Sequence, residues 1–286
     1  MSQTLLDTLL TFAAMLPVAT DVFLVYRLFR FFPFTSAVIF GLAPYLALAF
    51  SRSLPVPLAI AAALAVSVAL AAAVGFFLTW LVRVRQSSPL QLFLLSLGLV
   101  VVAQNAVSLA FGSQPMPLPA FASRPIAVAG LGTVGPARVA MLVWAGFTLG
   151  GLGLILWKTR LGLEWRALAN DRELSEILGL LPRRAMLAAF CLGALFTAGA
   201  GILQAADTAM SPMMGLRAFM IAAVAVVVGG QRLPAVLGAA MTVSLAQNFG
   251  ALAFGGRWQD AVVFAVLLLF LLARPRGLAA AAERTA

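Results

Sequence analysis

Nine apolar runs divide this sequence, and they constrain its fold more than any other feature. A helix that crosses a lipid bilayer needs about 20 predominantly apolar residues. Runs of this kind cover residues 5–26, 33–50, 57–82, 90–111, 137–157, 185–206, 216–230, 234–254 and 260–273. The seventh and ninth runs are short, and either can be a half-helix, so we expect about 8–10 transmembrane helices. Because helices satisfy their own backbone polar groups in lipid, the sequence predicts an all-α integral membrane protein that forms a path through a bilayer.

The residue types that are scarce limit the chemistry of the chain. Of the 286 residues, 63% are hydrophobic and only 10% charged, none is His, and Cys191 is the single cysteine. We therefore expect no catalytic residues, no metal site and no cofactor, and an intramembrane enzyme is an improbable alternative. The single lysine, Lys158, follows no glycine-rich turn, so the chain lacks the phosphate-binding loop of an ATPase.

The basic residues predict the orientation in the membrane. The formal charge is +10, and the basic residues stand singly between apolar runs, a pattern that does not indicate nucleic-acid binding. Cytoplasmic loops of membrane proteins carry an excess of Lys and Arg. With residues 158–184 in the cytoplasm, 14 basic residues face inward and 5 outward. We therefore expect an outer N-terminus and a cytoplasmic C-terminus.

The spans form one predicted domain, residues 1–286, with one long loop on each side. The outer loop, 112–136, contains five prolines, which favour an extended chain, and it can be either a docking surface or an ordinary connector. A possible internal repeat joins the two halves, because residues 103–112 and 246–255 both begin Ala-Gln-Asn and end Ala-Phe-Gly at an offset of 143. Such a repeat is common in transporters, although chance similarity in an Ala/Leu-rich chain is an equal alternative.

The inner loop, 158–184, holds four of the nine acidic residues of the chain. Asn170 or Asp171 can cap a short helix that Gly179 ends. Leu174, Ile177 and Leu178 then share one face at i, i+3 and i+4, and this amphipathic helix can bind a cytoplasmic partner or rest on lipid headgroups. Its acids disfavour the anionic inner leaflet, so we favour the partner.

Six polar residues inside the predicted spans are candidates for a translocation path. Asp21 is an acid well inside a span, which marks it as functional by default, although Arg27 and Arg30 could neutralise it. The uncharged candidates are Gln104, Asn105, Gln204, Gln247 and Asn248. Amides of this kind can line a path, and more often they hydrogen-bond neighbouring helices together.

Several short motifs, in order, give the sequence a family resemblance over about residues 79–278. The motifs are Leu97-Gly98, Gln104-Asn105, Phe111-Gly112, Gly162, Arg166-Ala167, Ala169, Asp171, Gly179, Met214 to Phe219, Gly229-Gly230 and Arg274 to Leu278. In this order and spacing they resemble the LivH-type permease subunits of ABC importers for branched-chain amino acids and related solutes. Residues 33–37 depart from the family pattern because they lack its Asn, His and Gly, and the turn after Gly230 is one residue shorter.

The resemblance implies a function and a set of partners. The chain would be the membrane-spanning subunit of an importer for a small polar solute such as a branched-chain amino acid, an amide or urea. Two separate ATPase subunits, a second and different permease and an external solute-binding protein would be its partners. The ATPase would contact the inner loop through Arg166, Ala167, Asp171, Leu174, Ile177, Leu178 and Gly179. The alternative is a stand-alone secondary transporter or channel.

Overall fold

A computed structural model describes residues 2–29, 31–85, 88–118, 126–128, 132–178, 180 and 182–273. The α-helices in chain order are α1 (Ser2–Phe29), α2 (Thr35–Ser51), α3 (Val56–Arg85), α4 (Pro89–Phe111), α5 (Pro136–Lys158), α6 (Arg160–Asn170), α7 (Arg172–Ile177), α8 (Pro182–Asp207), α9 (Met214–Gly229), α10 (Leu233–Phe254) and α11 (Gln259–Ala273). All nine predicted spans are helices, and their bounds differ from the predicted ones by three residues or fewer. The predicted all-α membrane fold is confirmed.

Six described helices are long and apolar enough to cross a membrane: α1, α3, α4, α5, α8 and α10. Helices α2 and α9 are shorter apolar helices of 17 and 16 residues. The final helix, α11, has 15 residues and an acidic first turn. The two spans that the sequence marked as short, α9 and α11, are therefore also short in the structure.

Helices α1 and α8 form the centre of the molecule. The apolar window of α1 is 78% buried within the protein and that of α8 is 67% buried, whereas the windows of α3, α4 and α5 are only 22–28% buried. Helix α8 packs against α1, α2, α3 and α5, and α1 also packs against α9 and α10. The exposed apolar faces of α3, α4 and α5 therefore form the periphery.

A small residue at every fourth position of α8 lets its neighbours approach closely. These residues are Ala185, Ala189, Gly193, Thr197, Gly201 and Ala205, all of them buried. A Cβ atom at Gly201 would collide with the carbonyl oxygen of Phe40 on α2, and one at Gly193 would collide with the carboxyl group of Asp21 on α1. Such close contacts drive helix association in membranes, where lipid competes for apolar surface.

The outer loop contains the described strands, β1 (Ile126–Val128) and β2 (Gly132–Val134), which pair antiparallel with Ile126 opposite Val134. Met116 and Met210 exchange two backbone hydrogen bonds of 2.9 and 3.0 Å, which join this loop to the loop between α8 and α9. The sequence predicted an extended loop and did not predict this pairing. Pro119, Arg124 and Pro125 lie outside the described residues.

The two copies of the sequence repeat end in the same way. Gly112 after α4 has φ +91° and Gly255 after α10 has φ +88°, a conformation that favours glycine. The backbone N–H of each glycine donates to the carbonyl four residues earlier, at 2.9 Å in both cases. Their packing differs, because α10 packs against α1, α9 and α11, whereas α4 packs against α2 at the periphery.

Candidate functional site

A cavity of about 690 Å³ opens at the end of the molecule where α1 begins and α8 ends. Residues of α1, α2, α5, α8, α9, α10 and α11 and of the loop between α8 and α9 line it. Three features describe it from the opening inward: a charged rim, a wall of amide side chains and an apolar floor. In the predicted orientation this is the outer end.

Two ion-pair groups form the rim. Arg138 of α5 bonds Asp207 of α8 at 2.9 Å (Nε to Oδ1), and it lies 3.7 Å from Asp7 of α1. Arg217 of α9 holds both carboxylate oxygens of Asp260 of α11, at 2.8–3.1 Å. Arg138 therefore links the beginning of α5 to the end of α8, and Arg217 links the beginning of α9 to the beginning of α11.

The wall of the cavity carries Gln204, Gln247 and Asn248. The Asn248 amide nitrogen donates to the Thr11 hydroxyl of α1 at 3.1 Å and to the Ser244 carbonyl at 2.9 Å. Gln247 is buried, and its carbonyl oxygen Oε1 has no hydrogen-bond partner among the described residues. Three of the six predicted path residues therefore meet at one cavity.

Apolar side chains close the cavity from below. Met15, Phe40, Met141 and Ile221 form its floor. Beside and below Met15 on α1, the side chains of Leu16, Val18 and Val22 are packed against neighbouring helices, and each is at most 1% exposed. Packed apolar side chains therefore close the cavity toward the interior along α1.

Asp21 lies below the floor, between α1 and α8. It is buried, and the Thr197 hydroxyl donates to its Oδ2 at 2.8 Å. Among the described residues it forms no ion pair with Arg27, whose guanidinium instead lies 5.9 Å from the ring centroid of Phe23. Arg30, the other predicted partner, lies outside the described residues. The Ser36 side chain of α2 also forms a hydrogen bond with it, so the carboxyl group links α1 to α8 and α2, and it does not line the cavity.

Gln104 and Asn105 also lie away from the cavity. Both are on α4, where Asn105 is exposed and its amide nitrogen donates to the Val101 carbonyl of the same helix at 2.8 Å. Gln104 is half-buried on the same peripheral helix, and neither residue lines the cavity.

The inner loop folds into two helices where the sequence predicted one. Thr159 caps α6 by accepting from the Gly162 backbone at 3.3 Å. The indole of Trp165 donates to the Ala185 carbonyl at 2.7 Å, and Trp165 and Leu168 are buried. These contacts fix α6 against the start of α8.

Helix α7 follows α6 immediately, and apolar side chains on it and just after it are exposed on the protein surface. The carboxylate of Asp171 accepts from the Leu174 backbone at 3.0 Å, which confirms the predicted cap. Leu174, Ile177 and Leu178 are 53%, 77% and 73% exposed, and Arg166 and Ala167 are exposed on α6. Gly179 lies outside the described residues. Helix α6, fixed against α8, is therefore followed by a short amphipathic segment with three exposed apolar side chains.

The charged rim was not among the predicted site residues. Arg138 and Arg217 are two of the five outward-facing basic residues that were counted for the orientation. The sequence does contain a pattern that predicts this cluster, because Asp7 and Asp207 lie on the same predicted side of the membrane as the two arginines. Opposite charges at one end of several spans indicate a polar cluster there.

Comparisons with known proteins give consistent results. A family model described as "Branched-chain amino acid transport system / permease component" matches residues 4–271. The high-affinity branched-chain amino acid transport system permease protein BraD of Pseudomonas aeruginosa is 28% identical over 190 residues, 64% of this chain and 62% of that protein. The corresponding permease protein LivH of Escherichia coli K12 is 28% identical over 201 residues, 68% of this chain and 65% of that protein. The match thus spans less than two thirds of each relative's length.

A solved structure shares the fold. It is described as PsaBC from Streptococcus pneumoniae in complex with Fab, and one of its chains superposes with a TM-score of 0.53. The superposition covers 94% of this chain and 91% of that one, at 14% sequence identity. At this identity the likeness concerns the architecture alone.

Proposed function

The chain belongs to the permease-component family of branched-chain amino acid transport systems, and on this premise we propose that it moves a small polar solute inward as the membrane subunit of an ABC importer. The observation that carries the proposal is the sealed cavity with its charged rim, amide wall and apolar floor. Ligand sites combine apolar lining with a few convergent polar groups in this way. A branched-chain amino acid, an amide, urea or a similar solute fits this chemistry.

In this proposal the solute enters from the rim and meets Gln204, Gln247 and Asn248. Because the floor is closed, passage requires a second conformation in which the layer below Met15 opens. Rigid-body motion of helices around a central site is the usual way to alternate access in transporters. The permease itself binds the solute weakly and hydrolyses no ATP.

The inner loop is the proposed contact for the ATPase. Arg166, Ala167 and Asp171 lie on or beside the fixed α6, and Leu174, Ile177, Leu178 and Gly179 lie on or just after α7. Exposed apolar side chains beside a rigid support suit a groove in a partner protein, since a few buried anchors carry most of the affinity of an interface.

The remaining partners and the setting follow from the same proposal. The single permease domain, residues 1–286, would sit in a bacterial inner membrane with its N-terminus outside. A second permease chain and two ATPases would complete the inner assembly, and an external solute-binding protein would dock at the rim and the outer loop.

The experiment that tests the proposal is purification in mild detergent from the native host, before and after the change Leu174→Asp. An aspartate in a buried contact costs several kcal/mol, so we expect the variant to reach the membrane, to lose the co-purifying ATPase and to lose uptake. Leu54→Asp is the matched control, because Leu54 is an exposed leucine in the turn at the other end of the molecule.

Two results would contradict the proposal. If Leu174→Asp retains both the ATPase and full transport, the inner loop is not the contact. If no ATPase accompanies the unmodified chain, a stand-alone carrier or channel replaces the importer.

A further inference from the structure

We propose that an anionic phospholipid binds where α3 ends and α8 begins, with its phosphate on the guanidinium of Arg183 and an acyl chain along the exposed rings of Phe76, Phe77 and Trp80. The inference goes beyond the proposed function, because it names a partner that is neither the solute nor another protein. It holds for either orientation in the membrane, since it concerns only the leaflet at this end of the molecule.

The first observation is the position of Arg183 in the first turn of α8. Its guanidinium carbon Cζ lies over the ring of Phe76, 4.2 Å from the ring centroid, and the residue is exposed. A cation over an aromatic face is attracted by the ring, which restricts where the guanidinium can lie. The planar set of N–H donors on an arginine matches the oxygens of a phosphate. An exposed and positioned arginine at the end of a membrane span therefore favours a phosphate-bearing ligand.

The second observation is the aromatic surface beside Arg183. Phe76, Phe77 and Trp80 are 47%, 46% and 43% exposed, and the rings of Phe77 and Trp80 stack with their centroids 6.3 Å apart. All three lie in the last two turns of the apolar span Val56–Leu81. Amphipathic rings at the end of a span lie at the level of the lipid headgroups. This surface therefore suits the upper part of an acyl chain whose phosphate reaches Arg183.

Close packing of α3 against α8 holds the cation and the rings together. Gly75 precedes Phe76, and a Cβ atom at Gly75 would lie 2.9 Å from the ring of Phe190 on α8. Arg183 and Phe190 are seven residues apart, so they share the face of α8 that packs against α3. The site is therefore in place before a lipid binds.

The charges at this end of the molecule favour an anionic lipid over a zwitterionic one. Residues 83–85 and 158–184 together hold eight basic and four acidic residues. The four acids all precede α8, where they disfavour anionic lipid at α7, whereas α8 begins with Arg183 and Arg184, both exposed. Basic residues near a membrane surface attract anionic headgroups, so the start of α8 is the place where such a lipid is favoured.

Brominated lipids test the site, because bromine quenches tryptophan fluorescence on contact. The full chain is reconstituted in phosphatidylcholine vesicles with an equal small fraction of brominated phosphatidylglycerol or brominated phosphatidylcholine. We expect the phosphatidylglycerol to quench more strongly, and unlabelled phosphatidylglycerol to remove the excess. Trp80→Phe should lose most of this excess, whereas Trp157→Phe, at an exposed tryptophan of α5, should retain it.

Two matched arginine variants separate the proposed contact from the general charge of this end. Arg183→Gln and Arg184→Gln remove the same charge from adjacent exposed positions, and in the described structure only Arg183 of the two lies over an aromatic ring. We expect Arg183→Gln to lower the preference for phosphatidylglycerol about fivefold, the upper range for an exposed ion pair. Arg184→Gln should lower it by less than about twofold. Arg183→Lys should keep part of the preference, because it keeps the charge and loses the planar donors.

Each outcome decides the inference. Equal quenching by the two brominated lipids overturns it, and so does an equal loss in Arg183→Gln and Arg184→Gln, which would indicate unspecific attraction. Quenching that is unchanged in Trp80→Phe also overturns it, since another protein chain would then cover these rings. If Arg183→Gln reaches the membrane poorly, the two lipids compared on the unmodified chain and on Trp80→Phe decide. No solute or ATPase enters the measurement, so its failure and that of the proposed function are distinguishable.

Discussion

At the residue scale, Asp21 shows how a buried acid can be structural. The Thr197 hydroxyl on α8 donates to it, the Ser36 side chain on α2 forms a further hydrogen bond with it, and the site of Gly193 beside it has no room for a side chain. An acid inside a membrane span is a functional candidate by default, and here its contacts explain it as a link between the two central helices. The predicted pair with Arg27 is not formed.

We expect Asp21→Ala to destabilise the protein. The change removes the acceptor of Thr197 and leaves a void between α1 and α8, so the free energy of unfolding should fall by about 1–3 kcal/mol. The thermal midpoint of the detergent-purified protein and its amount in the membrane measure this loss. Asp7→Ala, at a half-exposed ion pair, is the control and should change the midpoint little.

A double variant tests whether Asp21 links two helices or pairs with Arg27. Adding Arg27→Gln to Asp21→Ala should not restore the amount, because Arg27 lies against Phe23. Recovery in the double variant would support the ion pair. Full abundance of Asp21→Ala combined with lost uptake would return Asp21 to the path.

At the element scale, the small residues of α8 determine how closely α1 and α2 pack. We expect Gly193→Ala to lower the free energy of unfolding by about 1–3 kcal/mol, since its Cβ would displace the Asp21 carboxyl group in a tightly packed contact. Gly98→Ala on α4 is the matched control. No heavy atom lies within 4 Å of its added Cβ, so this change should be neutral or stabilise by up to about 1 kcal/mol.

Urea or thermal unfolding of both glycine variants in the same detergent makes the comparison direct. A loss for Gly98→Ala equal to that for Gly193→Ala would mean that helix propensity, and not the contact with α1, governs both sites.

The helices could be predicted from the sequence because apolar length alone determines where a chain can cross lipid. The two Gln-Asn pairs show what could not be predicted. Asn105 and Asn248, each preceded by Ala-Gln, both donate to the carbonyl four residues earlier in the same helix. Only Asn248 also reaches another helix, because α10 packs in the interior and α4 at the edge.

The packing order of the helices, which the sequence does not reveal, also explains why some residues of the site were not predicted. Arg138, Asp207 and Asp7 come from three helices that are distant in sequence, and their pairing follows from the order in which the helices pack. Helix α6 was missed because its buried face, Trp165 and Leu168, is completed by α8.

At the scale of the whole molecule, the orientation is open to a direct test. The structure changes the choice of reporter, because Ser175 is only 3% exposed whereas Asn170 is exposed. In a Cys191→Ala background, a cysteine at Asn170 should resist an impermeant reagent in intact cells, and one at Ser113 should react. This expectation rests on the predicted orientation, in which 14 of the 19 basic residues face inward. The cysteine at position 113 should therefore be labelled much more than the one at position 170.

Permeabilised cells are the control, since both positions should then react. Labelling at position 170 from outside in intact cells would reverse the orientation. The C-terminal tail, residues 274–286, lies outside the described residues, and its predicted cytoplasmic side is tested by the same reagent at Thr285.

The sealed layer below the cavity has an electrical consequence. An ion would have to shed its water to pass Leu16, Val18 and Val22, each at most 1% exposed, at a cost on the order of 10 kcal/mol or more. We therefore expect this cavity not to conduct ions in the conformation described. Surplus copies of the chain would then leave the membrane voltage intact, and a conductance measurement on the chain in a planar bilayer checks this.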